Sequence, residues 1–214
     1  MTPGGARAFR LRAGLAAGLL CLLAPAAPAS PLGDAIALYR KGRWADAKAI
    51  LAPLVEAQPS NADAAYFLGM VLLRAGGPAS LDSSREMLRR AVQLAPRNAG
   101  YLAEYAGVCL LLADRDSSLS LAFEGRDAMT RAIAGNPGDM DAREGLMEFY
   151  AKAPWPIGDS DKAMEQAAEI ARRDAKRGAA AYRDIGAIFE RSGRAELALC
   201  AAQAAQRLAP DRPQ

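Results

Sequence analysis

An apolar phrase that recurs along the chain, and closes each time at the same place, constrains the fold more than any other feature of the 214 residues. Ile50-Leu51 runs to Gln58-Pro59, Met87-Leu88 to Ala95-Pro96, Met129 to Asn136-Pro137, and Ala201-Ala202 to Ala209-Pro210. Each is a helical apolar pattern that stops at a proline, which cannot continue a helix. A fifth phrase, Ala167 to Asp174-Ala175, has alanine where the proline would stand. The phrases end near 59, 96, 137, 175 and 210, in steps of 37, 41, 38 and 35 residues. A period of this size marks stacked units that bury their apolar faces only against one another. Between the phrases apolar residues recur at three and four, and Ala and Leu dominate over Val, Ile and Thr, so no strand period competes. The expectation is an all-α chain, an α-solenoid of about five helix-turn-helix units and about ten helices.

The units resemble the tetratricopeptide repeat, whose outline is W-x2-L-G-x2-Y, then A-x3-F, then P over two helices. Leu68-Gly69 followed by Leu72 matches the first helix of one unit, and Ile185-Gly186 followed by Phe189 that of another. The turn and second helix match in Gly42-x-Trp44-x-x-Ala47-x3-Leu51, ending at Pro59. They match again in Gly193-x-Ala195-x-x-Ala198-x3-Ala202-x2-Ala205, ending at Pro210. Gly69, Ala47, Ala91, Ala132 and Ala198 are small where a larger side chain would hold the paired helices apart. The resemblance covers nearly all of 31–214 and implies a right-handed superhelix. Tyr105-Ala106 and Leu146-Met147 stand where Leu-Gly would in units three and four.

Helix starts are legible locally. Ser83-x-x-Glu86 has the form of a capping box for a second helix, Asp139 or Asp141 suits the start of unit four, and Ser160 or Asp161 its second helix. Ser30-Pro31 suits the first helix of unit one, about Leu32 to Lys41. The steps exceed the 34-residue repeat mostly around Ala75 to Ser84, Ala113 to Ser120 and Ala153 to Asp161. These read as three lengthened loops along one edge. In the third, Trp155 between Pro154 and Pro156 is a candidate loop-edge contact.

Residues 1–29 read as a cleavable signal peptide. Arg7, Arg10 and Arg12 precede the apolar stretch Ala13 to Ala24, and Ala27-Pro28-Ala29 forms a small-x-small site with cleavage expected after Ala29. The apolar run is about twelve residues where a membrane span needs about 20, so no stable span is expected once the signal is removed. Leu20 before Cys21 argues against a lipoprotein signal. Residues 30–214 then form a single exported solenoid domain, periplasmic or secreted, and Cys109 and Cys200 read as buried thiols rather than a bridge.

Composition narrows the chemistry. The chain contains no histidine, which removes Ser-His-Asp and Cys-His mechanisms and histidine-ligated zinc. Without residues 1–29, Lys+Arg and Asp+Glu balance at 24 each, and with no basic stripe a nucleic-acid partner is not expected. Gly76-Gly77-Pro78 lacks a phosphate-loop ending, Asp159-x-Asp161 lacks the rest of a calcium loop, and no cofactor or metal motif is recognised. Glu144 and Glu148, four apart on one helix, have a spacing that could present two carboxylates to a substrate or a divalent ion, but a solvated or groove-lining acidic face accounts for them better.

In the resembled family the first helix of each unit lines a concave groove. That selects Tyr39 and Arg40 in unit one, Asp63, Tyr66, Met70 and Arg74 in unit two, Glu144, Glu148 and Lys152 in unit four, and Arg183 and Glu190 in unit five. Unit three offers small or apolar residues there, including Gly100, Ala103, Gly107 and Leu110. The function expected is a non-catalytic adaptor or assembly scaffold binding a protein or peptide segment in the groove. Self-association through the alanine-rich last helix, giving a homodimer, is the alternative.

Overall fold

A computed structural model describes residues 30–153 and 157–208. The expected signal segment and Trp155 lie outside the described residues. Ten α-helices follow one another within them: α1 (Pro31–Arg40), α2 (Trp44–Ala57), α3 (Ala62–Ala75), α4 (Leu81–Leu94), α5 (Ala99–Asp116), α6 (Leu119–Gly135), α7 (Met140–Lys152), α8 (Ser160–Arg173), α9 (Ala175–Arg191) and α10 (Ala195–Leu208). They pair as five antiparallel hairpins, and each helix packs chiefly on the helices next to it in the chain. This is the α-solenoid expected.

The start of every first helix is set by one short polar side chain. Ser30, Asn61, Asn98, Asp139 and Asp174 each accept a hydrogen bond from the backbone N–H three residues on, at 2.9 to 3.2 Å. Each thereby satisfies one of the amides a helix leaves open at its start. In units two to four the capping residue lies seven positions before Leu68, Tyr105 and Leu146, so the three units share one register. Asp174 ends α8 and caps α9 at once, with no intervening residue.

The turns inside the hairpins differ. In units one and five, Gly42 (φ 72°) and Gly193 (φ 73°) take the left-handed backbone that a side chain disfavours, giving a tight turn. In unit two a single 3-10 turn at Pro78–Ser80 leads into α4. The capping box expected at Ser83 is not used, because α4 is already under way at Leu81. Ser84 is instead buried and donates to the Gly69 carbonyl at 2.8 Å, and Glu86 pairs with Arg89. In unit four Asp159, not Ser160 or Asp161, caps α8.

Unit three departs most from expectation. Its extra length is helix rather than loop: α5 runs 18 residues and α6 17, where α3 and α4 have 14 each. Ser117-Ser118 alone joins them, with Ser117 left-handed at φ 51° and Ser118 capping α6. Leu110 to Ala113 are strong helix formers, so continuing α5 is easier than opening a loop.

The core runs along the stack as three clusters, centred on units one and two, two to four, and four and five. Where paired helices approach most closely, small residues permit it: a Cβ on Gly69 would lie 2.8 Å from Leu88, and one on Gly125 2.9 Å from Leu110. No helix among the described residues is long and apolar enough to cross a membrane.

Candidate partner-binding groove

Because α5 and α6 overtop their neighbours, a groove of about 1070 Å³ opens between α5 and α7, with α6 behind it and Tyr66 and Leu73 of α3 at one end. Its floor on α5 is Gly100, Ala103 and Gly107, three small residues at helical spacing on one face. The extra turns supply a rim of exposed leucines, Leu111 (51% exposed) and Leu119 (55%), with Phe123 and Ile157 below. The polar lining is acidic: Glu104 and Asp114 on α5, and Asp139, Asp141 and Glu148 at α7, against one cation, Lys152.

These carboxylates are not equivalent. Asp139 caps α7, Asp141 pairs with Arg177, and Glu148 pairs with Lys152 one helical turn on. Glu104 and Asp114 have no cation within salt-bridge reach among the described residues. Burial pushes the Glu104 carboxyl up from its ordinary value, opposed by Arg74 and helped by Asp141 and Asp139.

The sequence-selected residues divide. Tyr66, Glu148 and Lys152 line the groove, as do Gly100, Ala103, Gly107 and Leu110 of unit three. Tyr39, Asp63 and Tyr66 also join an aromatic row leading to it. Tyr39 meets Phe67 edge-on at 5.8 Å, and Tyr66 stacks on Tyr101 at 4.6 Å, whose hydroxyl donates to Asp63. Burial in that row, with Glu104 nearby, pushes the Tyr66 hydroxyl up to about 12. Arg40 and Arg74 are exposed at their helix ends, and Arg183 and Glu190 are exposed on α9, away from the groove.

Met70 is a correction: it is 3% exposed and packs in the core between units two and three, because that face of α3 is covered by the next hairpin. Glu144 is not among the residues that line the groove; Arg177 of α9 reaches back to it at 2.5 Å, while Glu148 is held by Lys152. Cys109 is buried and free, but Cys200 is exposed, since α10 covers only one of its faces with α9. No group of three metal-ligating side chains occurs among the described residues.

Glu104, Leu111, Asp114, Leu119 and Phe123 were missed. The 41-residue step of unit three signals them, the extra residues being helix and not the loop that the step suggests. A second polar cluster lies behind the groove, where Arg85 reaches Glu124 at 2.5 Å and Tyr105 also donates to Glu124, beside Cys109. It clasps α4, α5 and α6 together.

The family model of the tetratricopeptide repeat matches residues 32–99. Those residues are tetratricopeptide repeats. The remaining hairpins continue the same fold. The crystal structure of MamA is 22% identical with a TM-score of 0.65, over 81% of this chain and 93% of that one. YrrB, described as a TPR protein with an unusual peptide-binding site, is 21% identical with a TM-score of 0.67, over 85% and 86%. A thermophilic TPR protein of Thermus thermophilus is 19% identical with a TM-score of 0.56, over 85% and 91%. No curated protein matches the chain in sequence. At these identities the likeness to solved structures is one of fold.

Proposed function

We propose that the chain is an exported, non-catalytic adaptor that holds a segment of a partner protein in the groove between α5 and α7. The single observation that carries this is an apolar groove with exposed leucines at its rim, formed where one hairpin outgrows its neighbours. An exposed apolar surface costs solubility unless it is used, and helical grooves of this kind take extended or helical segments. Export rests on residues 1–29, where three arginines, an apolar run and a small-x-small site follow in order. A photo-crosslinking amino acid at Leu111, in the groove, and at Leu94, exposed on α4, tests the site in living cells. Crosslinks to a discrete partner from Leu111 and not from Leu94 support the groove. Equal crosslinking from both, or none from Leu111, refutes it.

Self-association is the second reading, favoured by Leu199, which is 60% exposed on α10 beside the exposed Cys200. Light scattering that gives a monomer mass at high concentration, with no Cys200-linked dimer on mild oxidation, would remove it.

A further inference from the structure

The partner's chemistry can be read from what the groove leaves unfilled and uncompensated. Three glycines near the groove have a packing reason: a Cβ on Gly69, Gly125 or Gly145 would collide with Leu88, Leu110 or Met129. Gly107 has none. A Cβ there meets no atom within 4 Å, although glycine inside a helix costs about 1 kcal/mol relative to alanine. The groove that Gly107 lines together with Leu111, Leu119 and Phe123 has the room and apolarity to take a side chain from another molecule.

The charges on either side of that space differ from the other acids that line the groove. Most acids near it are matched within the chain: Asp141 and Glu144 by Arg177, Glu148 by Lys152, Glu124 by Arg85. Among the described residues Glu104 and Asp114 make no ion pair: Glu104 is partly withdrawn from water and feels Arg74 only through its field, and Asp114 is exposed. A half-buried carboxylate without a cation is unfavourable, and a cation from a ligand relieves it. Ten residues apart on α5, the two carboxylates are separated by about 15 Å along the axis, which an extended chain spans in about four or five residues.

Resting on the proposed groove, the geometry points to an extended partner peptide bearing two Lys or Arg residues about four or five positions apart, with an apolar side chain between them seated over Gly107. One cation meets Glu104 and the other Asp114. Gly107 lies nearer Glu104 in the helix, so the apolar residue falls closer to the first cation.

A phage-displayed library of random dodecapeptides, selected on the intact chain, tests this. Two variants accompany it. Gly107→Trp places an indole in the seat from a Cβ that meets no neighbour, and Glu104→Lys with Asp114→Lys reverses the charge while leaving the seat open; melting by circular dichroism checks that both fold. The expected result is enrichment of the two-cation pattern around Leu, Ile, Phe or Trp. Selected peptides then weaken at least about 30-fold on Gly107→Trp, the loss of one buried anchor. They fail on the charge-reversed variant, which selects acidic peptides in their place. Selected peptides that are neutral or acidic yet sensitive to Gly107→Trp overturn the partner chemistry and leave the groove standing. Peptides indifferent to Gly107→Trp overturn both. Selection of nothing, with a dimer that Gly107→Trp breaks, overturns the proposal in favour of a second copy of the chain.

Discussion

Two glycines on one helix should respond to the same substitution with opposite sign. Gly178 and Gly186 both lie inside α9, and both are buried. Replacing either with alanine removes the same entropic cost of glycine in a helix, about 1 kcal/mol in favour of the variant. What differs is the space. A Cβ on Gly186 would sit 3.5 Å from the Ala201 Cβ and 3.7 Å from the Ala198 carbonyl, ordinary contact distances. A Cβ on Gly178 would be driven onto the Ala171 backbone, 2.8 Å from its nitrogen and nearer still to its Cα. Backbone cannot rotate away as a side chain can, and α8 and α9 share Asp174 as their only joint, so α9 cannot slide without pulling that cap. Overpacking of this sort costs about 1–3 kcal/mol. The helix term is common to both variants, so the clash alone sets the difference between them. Gly186→Ala is expected to gain up to about 1 kcal/mol and Gly178→Ala to lose up to about 2. Urea titration followed by far-ultraviolet circular dichroism reads both, and at about 2–4 °C per kcal/mol the melting temperatures should move apart visibly. Parallel shifts of the two variants, or a loss in Gly186→Ala, would refute the idea that the α8–α9 approach depends on the missing Cβ.

Other perturbations follow from features already described. Ser117 holds a left-handed backbone at φ 51°; Ser117→Gly should stabilise the hairpin by about 0.5–1 kcal/mol and Ser117→Val should weaken it, both seen in denaturation midpoints. Glu104 and Glu124 should give pH dependences of opposite sign. The folded-state pKa of Glu104 is raised by burial, so its contribution is present at low pH and lost as pH rises through that raised value; Glu104→Gln should remove the loss and be more stable than the parent near neutrality. For Glu124, burial raises the pKa but the Tyr105 and Arg85 hydrogen bonds prevail and lower it. Its contribution is therefore present above the ordinary glutamate pKa and lost as pH falls through the depressed one. Denaturation midpoints for Glu124→Gln across about pH 3 to 7 should show that part of the acid sensitivity gone.

The fold was readable because its determinants are local. In units one to three a proline follows the second helix, and two residues later an asparagine or aspartate starts the next first helix, so these hairpins can be counted from short stretches. The site was less readable because it depends on which neighbours arrive. Nothing around Glu144 announces that Arg177, 33 residues on, folds back onto it. Met70 sits on the first-helix face that the family resemblance assigns to the groove, yet the following hairpin covers it. The extra residues of unit three could have been loop or helix by length alone. The decision rests on Leu110 to Ala113 propagating α5 and on Ser117 tolerating a left-handed turn, and that choice is what raises Leu111, Asp114 and Leu119 around the groove.

The nearest-neighbour packing of the hairpins has a bearing on how the molecule opens. In a stack whose units touch little beyond the adjacent ones, unfolding proceeds like unzipping, and the free energy to expose a given amide accumulates with the number of interfaces already parted. The groove is walled by the third and fourth hairpins, which have a hairpin pair on one side and a further hairpin on the other. Fraying of α1–α2 or of α10 therefore leaves its walls in place, and amide exchange should slow from the flanks toward α5 and α6. A ligand held there would be gripped by the section of the stack that breathes least.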